Sequence, residues 1–426
     1  MSATTAHRAS PSWSPVPADL LRLWPYAVLA ALTLFLGLSR LVTGPWFHVY
    51  HPWETSLLES KPLAWEAVYY TDQFPTFTAD LPARFGIAPV HSRTLLPLFL
   101  AATLSTWTGS AYWSFAAVDL FFWFVGAVAG YHLALRLGAS AWAAFLGALL
   151  LVASPLLISH MWRHDLHPAN FASMPLCLWA AVALVDEERR PWRLTLALSA
   201  VLLYASLSYP YQWVLAPMVL VLCATQPRLG LRRGAAVAAA AVLLYAVATE
   251  AIGIFLERAV GAPTEWNYVA SQPGSMIAGR VLGVRSLSDA LALLPGTVYL
   301  QLLVRSYHPA VLLAGLAGVC LLGRRTVLMT LAGLAVSLVS LTYYAAPWAA
   351  TNAYPLIYAG AGVTCAALGS ALAGRLSVLP GTRVRLGAGV ALLLAVALAL
   401  PPNADLWGNN GFLLGWWGDF AARYLF

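Results

Sequence analysis

Three histidines, His160, His164 and His167, stand at i, i+4 and i+7, with Arg163 and Asp165 among them. On a helix this spacing sets them along one face with Asp165 beside it, which is a way to bind a divalent metal ion. His48 and His51 add further ligands if the earlier polar segment folds over. Pro168 follows at once, so the same histidines also suit an interfacial loop in which they only hydrogen-bond. A second store of reactive side chains lies between Arg40 and Arg93: Glu54, Glu59, Glu66, Asp72, Asp80, Arg84, His91 and Arg93. A third runs from Glu257 to His308 and contains Arg305. Guanidinium forks such as those of Arg93, Arg163 and Arg305 match phosphate oxygens, whether those belong to a substrate or to a membrane lipid.

The elements that must position these groups are membrane helices. Of the 426 residues 60% are hydrophobic and 10% charged, against roughly 25% charged in a soluble domain. The mean hydropathy of +0.72 is spread over repeated long uncharged runs. That pattern excludes a soluble fold, and it excludes an outer-membrane barrel, whose segments are short and alternating. The expected class is an all-α polytopic membrane protein. Cys177, Cys223, Cys320 and Cys365 lie inside apolar runs without CxxC spacing and read as small buried hydrophobes. The net charge of +7, with Lys61 the only lysine, does not point to nucleic acid, because basic residues in a membrane protein set its topology.

Residues 1–22 form a polar tail, and the first apolar stretch, from Leu23 to Ser39, reads as a retained first helix. A long polar loop spans 40–93. Uncharged runs follow at Thr94–Val118, Leu120–Leu135, Leu137–Trp162 and Leu166–Val185; Leu194–Pro227 then divides into two spans at Ser208–Tyr209–Pro210–Tyr211. Another span covers about Ala235 to Leu256. A second polar segment, 257–307, contains an interfacial stretch over Leu291–Val304 interrupted at Pro295–Gly296. Closing spans lie at Pro309–Gly323, within Thr326–Gly374 with a break at Pro347–Asn352, and at Leu386–Leu400, before a Trp-rich tail at 402–426.

Arg136, the Arg189/Arg190/Arg193 trio, the Arg228/Arg232/Arg233 trio, Arg324/Arg325 and the Arg375/Arg383/Arg385 trio all fall on one side of this scheme. The positive-inside rule assigns that side to the cytoplasm. Thr94–Thr108, whose strongly apolar part is only Leu95–Leu104, reads as a short juxtamembrane helix rather than a span. The result is about eleven spans in the cytoplasmic (inner) membrane, with the N-terminus inside, the C-terminus outside and both long loops external. Asp119 falls near the cytoplasmic third of its run and Glu250 near the external end of its own.

With that order in view, the chain resembles the GT-C class of membrane glycosyltransferases. The resemblance rests on Tyr70–Thr71–Asp72–Gln73–Phe74 in the long first loop, Ser92–Arg93–Thr94–Leu95–Leu96–Pro97–Leu98 at its close, Leu135–Arg136–Leu137–Gly138, and the short loop bearing His164–Asp165. It covers about residues 20–230. It implies a sugar taken from a polyprenyl-phosphate donor outside the cytoplasm and passed to an acceptor, with a first-loop acid as base. The chain departs from the usual pattern in having no adjacent acidic pair, ExD or DxD in that loop. Asp72, about twenty residues before the Arg93–Pro97 motif, is the first choice of base and Glu54 the second. Asp165 completes the acidic set, while Arg93, Arg163 and Arg305 are the expected donor-phosphate ligands.

A non-enzymatic reading uses other residues. Asp119 and Glu250, ionisable groups inside apolar runs, suit a transporter, and the aromatic segments, Asn409–Phe426 included, suit a subunit that docks on a membrane partner. The topology is open to a direct check. Single cysteines placed at Ser56 and Ser275 in an otherwise cysteine-free chain should both react with a membrane-impermeant maleimide on intact cells, and protection of the Ser56 position would overturn the external first loop.

Overall fold

The computed structural model describes residues 18–43, 100, 103–104, 107–108, 111–154, 167–208, 215–260, 307, 309–343, 353–375 and 389–390. Among them the elements are helices: α1 (Ala18–Thr43), α2 (Ala111–Arg136), α3 (Ala141–Val152), α4 (His167–Glu187), α5 (Pro191–Ser208), α6 (Leu215–Ala224), α7 (Gly230–Val260), α8 (Pro309–Leu322), α9 (Arg324–Tyr343) and α10 (Tyr354–Arg375). In hydrocarbon a helix satisfies its own backbone, which is why the apolar runs take this form. The stretches 117–136, 230–249 and 354–372 are each long and apolar enough to cross a membrane by length and composition.

Two expectations are corrected. The charge at Asp119 does not divide two runs, because α2 passes through it unbroken. A single buried carboxylate leaves the i→i−4 ladder intact when tertiary surroundings accommodate it. Within the apolar run Leu137–Trp162 the described helix, α3, covers Ala141–Val152 and ends there. Its start is set by Gly138, whose φ of 97° is open to glycine at little cost, and by the Ser140 side chain, which accepts from the Ala143 N–H at 3.2 Å. The divisions at Ser208 and before Tyr354 fall where the sequence placed them.

Glycine governs the closest helix contacts. A β-carbon on Gly318 of α8 would lie 1.8 Å from the Gly360 carbonyl oxygen of α10, and one on Gly147 of α3 would lie 2.8 Å from that of Tyr358. α10 is therefore wedged between α3 and α8 with backbone against backbone on both sides, the small-residue packing favoured in membranes. Thr364 adds a hydrogen bond to the Ala314 carbonyl at 2.7 Å. α1 lies against α2, where the Tyr26 hydroxyl meets His132 Nε2 at 3.1 Å. The outward faces keep large apolar side chains, among them Phe35, Leu243 and Leu313, as a lipid-facing surface requires. Gly318→Leu should lower the thermal unfolding midpoint in detergent, at a cost of about 1–3 kcal/mol or more from overpacking, whereas Leu321→Ala, on an exposed side chain, should leave it within experimental scatter.

Candidate functional site

Most of the residues singled out from the sequence, namely Glu54, Asp72, Arg93, His160, Arg163, His164, Asp165 and Arg305, lie outside the described residues, as do the long segments 44–99 and 261–306. His167 is reached as the first residue of α4. The described part shows where the helices deliver the chain to these segments. Among the described residues no three His, Cys, Asp or Glu side chains come together to hold a metal.

Depth is read from the register of α2, α3, α4 and α10. A cluster of charges locks one end of the bundle, here called the basic face. Arg136 at the end of α2 pairs with Glu187 at the end of α4. Asp186 accepts from Arg325 Nη1 of α9 at 2.8 Å and from Gln226 Nε2 at 3.0 Å. Gln226 also donates to the Val185 carbonyl at 3.0 Å, and Arg228 donates to the Val185 and Asp186 carbonyls. The ends of α2 and α4, the α6–α7 turn and the start of α9 thus meet on a single face, in the arrangement that the basic residues predicted.

From this face α2 and α4 run side by side and in the same direction. A β-carbon on Gly126 would lie 2.9 Å from the Cα of Ala172, which sets their register. Seven residues further along α2, about 10 Å by helix rise, comes Asp119; five residues further along α4, about 7.5 Å, comes His167. The acid is therefore level with the start of α4, about 25 Å from Arg136 and close to the far edge of a hydrocarbon core of about 30 Å. The expected position near the Arg136 end is wrong. The error lies in taking Asp119 as a boundary; counting a full helix back from Arg136 would have shown it. Asp119, Ser114 and Ser173 are buried, and the Ser114 hydroxyl lies 2.8 Å from that of Thr108.

Two helices stop well below this level. Leu151 of α3 packs at Gly130 of α2, and Gly147 at Tyr358 of α10. By the same helix rise, Ser154 after α3 and Tyr354 at the start of α10 lie at similar levels, about 12 Å or more from Asp119 toward the basic face. Ser154, Ala353 and Tyr354 are all buried. One helix thus ends and another begins at two adjoining buried points of the bundle. Such interruptions are tolerated at membrane depth only where protein or a polar cavity surrounds them, and they commonly mark binding sites. The segment that carries His160, Arg163, His164 and Asp165 runs from the first of these points, Ser154, to His167.

No protein-family model matches the sequence, and a search of curated proteins finds no match. Solved structures do match in fold. The apo crystal structure of the Archaeoglobus fulgidus oligosaccharyltransferase has a TM-score of 0.52 and 14% identity, covering 92% of this chain and 56% of that one. The same enzyme tethered to an acceptor peptide containing the NVT sequon gives 0.51 and 14%, over 92% and 55%. Archaeal oligosaccharyltransferase AglB from Archaeoglobus fulgidus, in complex with an inhibitory peptide and a dolichol-phosphate, gives 0.51 and 14%, over 93% and 56%. The chain spans little more than half the length of these proteins. The fold is similar to that of these membrane oligosaccharyltransferases, a likeness in line with the resemblance that the sequence motifs carry.

The lock at the basic face can be tested directly. Asp186→Ala should destabilise the protein by about 1–3 kcal/mol, because it strips a partner from a half-buried guanidinium. Combining it with Arg325→Leu should recover part of that loss. A coupling below about 0.5 kcal/mol in the double-mutant cycle, read from unfolding in detergent, would show that the pair does not hold the register.

Proposed function

We propose that this chain is a membrane glycosyltransferase that moves a sugar from a polyprenyl-phosphate donor to an acceptor on the side opposite the basic face. The observation that carries the reading is the pair of adjoining buried helix ends, Ser154 after α3 and Tyr354 at the start of α10, in a fold similar to that of membrane glycosyltransferases and set back from the level of Asp119 and His167. A fold neighbour binds a dolichol-phosphate, which supports a polyprenyl phosphate as the carrier here. The topology that goes with it has about eleven spans, the N-terminus and basic face in the cytoplasm, the two loops 40–93 and 257–307 outside, and the tail 402–426 at the external surface of the inner membrane.

In this reading Asp72, with Glu54 as the alternative, accepts the proton of the acceptor hydroxyl as its oxygen bonds to the anomeric carbon. The bond from that carbon to the phosphate oxygen breaks with both electrons going to the oxygen. Arg93, Arg163 and Arg305 hold the departing polyprenyl phosphate, whose charge their guanidinium groups stabilise. Asp165 lies in the chain between two candidate metal ligands and orients the short loop. A divalent ion on His160, His164 and His167 would supply further positive charge there, and no step runs through it. Asp119 lies near the far membrane edge instead of the midplane, which disfavours a proton-coupled carrier built on that acid.

Asp72→Asn and Asp165→Asn should each lower sugar transfer from a lipid-linked donor by at least about a hundredfold while leaving the amount of protein in the membrane unchanged. Undiminished turnover in Asp72→Asn would exclude it as the base, and undiminished turnover in both would overturn the proposed site.

A further inference from the structure

The basic face carries more positive charge than its ion pairs consume. Among the described residues its acids are engaged: Asp186 with Arg325, Glu187 with Arg136, and Glu188, whose Oε1 accepts from the backbone N–H of Arg190 at 2.8 Å. Arg189 and Arg190 in the α4–α5 turn, Arg193 in the first turn of α5, and Arg232 and Arg233 in the first turn of α7 are all exposed. α5 and α7 both start on this face and pack against each other. Their arginines therefore border one stretch of the bundle's rim.

Apolar side chains are exposed on the same turns: Trp192 at 59%, Leu196 at 53% and Leu231 at 70%. The Arg193 guanidinium carbon lies 5.2 Å from the Trp192 ring centroid, within the range where a cation is held by an aromatic face. A guanidinium fixed beside an exposed indole at the edge of an apolar wall joins the two features that a membrane lipid offers together, a phosphate and a hydrocarbon chain.

We infer that this rim binds an anionic phospholipid of the leaflet at the basic face. Arg193, Arg232 and Arg233 take the headgroup phosphate, Trp192 lies at the headgroup level, and an acyl chain runs past exposed Leu196 along the outer face of α5. Charge selects an acidic headgroup over a zwitterionic one. The exposed apolar side chains select a lipid over a free phosphate ion, which would make no use of them. The site lies across the membrane from the proposed sugar-transfer site and does not depend on it.

The test uses the full chain in detergent, titrated with phosphatidylglycerol or phosphatidylcholine and read by native mass spectrometry. Phosphatidylglycerol should bind at least about tenfold more tightly than phosphatidylcholine, and the triple variant Arg193→Gln/Arg232→Gln/Arg233→Gln should lose at least about tenfold of that affinity. These residues are exposed, so thermal unfolding of the lipid-free variant should match the parent. Arg324→Gln, an exposed arginine of the same face on α9, should bind phosphatidylglycerol as the parent does. An unchanged triple variant would overturn the site. So would an equal loss in Arg324→Gln, which would mean diffuse attraction to the whole face, or displacement of the lipid by an equal concentration of inorganic phosphate.

Discussion

In a hydrocarbon core no water is available for an unpaired backbone group, and this constraint governs the rest of the structure. It makes the apolar runs helical, and it makes every interruption costly unless it is sheltered and locally bonded. The two interior ends meet that condition by tightening. Beyond α3, the N–H of Ala153 bonds to Leu149 at 3.0 Å and that of Ser154 to Leu151 at 3.1 Å; at the start of α10, the N–H groups of Leu356 and Ile357 share the Ala353 carbonyl at 3.0 and 3.1 Å. Each end is closed by short turns within the protein.

Shelter comes from glycine. Gly147 and Gly362 bring α3 and α10 together on one side, and Gly315, Gly318 and Gly360 bring α8 and α10 together on the other. With β-carbons at these points α10 would be pushed outward, and its first turn would lose the cover that keeps Ala353 and Tyr354 buried. The charge network around Asp186 acts at a distance from this packing, fixing which helices share a level. Together they give the bundle a basic end where the helices are cross-linked by charge and a centre where they touch backbone to backbone.

Much of this was legible in the sequence. The alternation of arginine-bearing turns with uncharged ones placed Arg136, Arg189, Arg228 and Arg325 on a common face, and the structure joins the ends that carry them. The break at Ser208 and the break before Tyr354 were marked by Pro and polar residues. Depth was not legible. The run Leu137–Trp162 is apolar throughout because its surroundings are apolar, yet that composition says nothing of whether the backbone there is helical, and α3 stops at Val152. Asp119 misled for the opposite reason, since a charge read as an edge is here buried within a helix. Hydropathy reports solvent, while helix ends are decided by tertiary neighbours.

The length of α7 has a consequence for the chain that follows it. Its 31 residues, Gly230–Val260, rise about 46 Å and so exceed a hydrocarbon core of about 30 Å even at a tilt of about 40°. Its apolar stretch 230–249 is already long enough for one crossing, so the turns from Glu250 to Val260 are surplus to it. The polypeptide that continues from Val260 therefore sets out from the end of a rod, not from a tether.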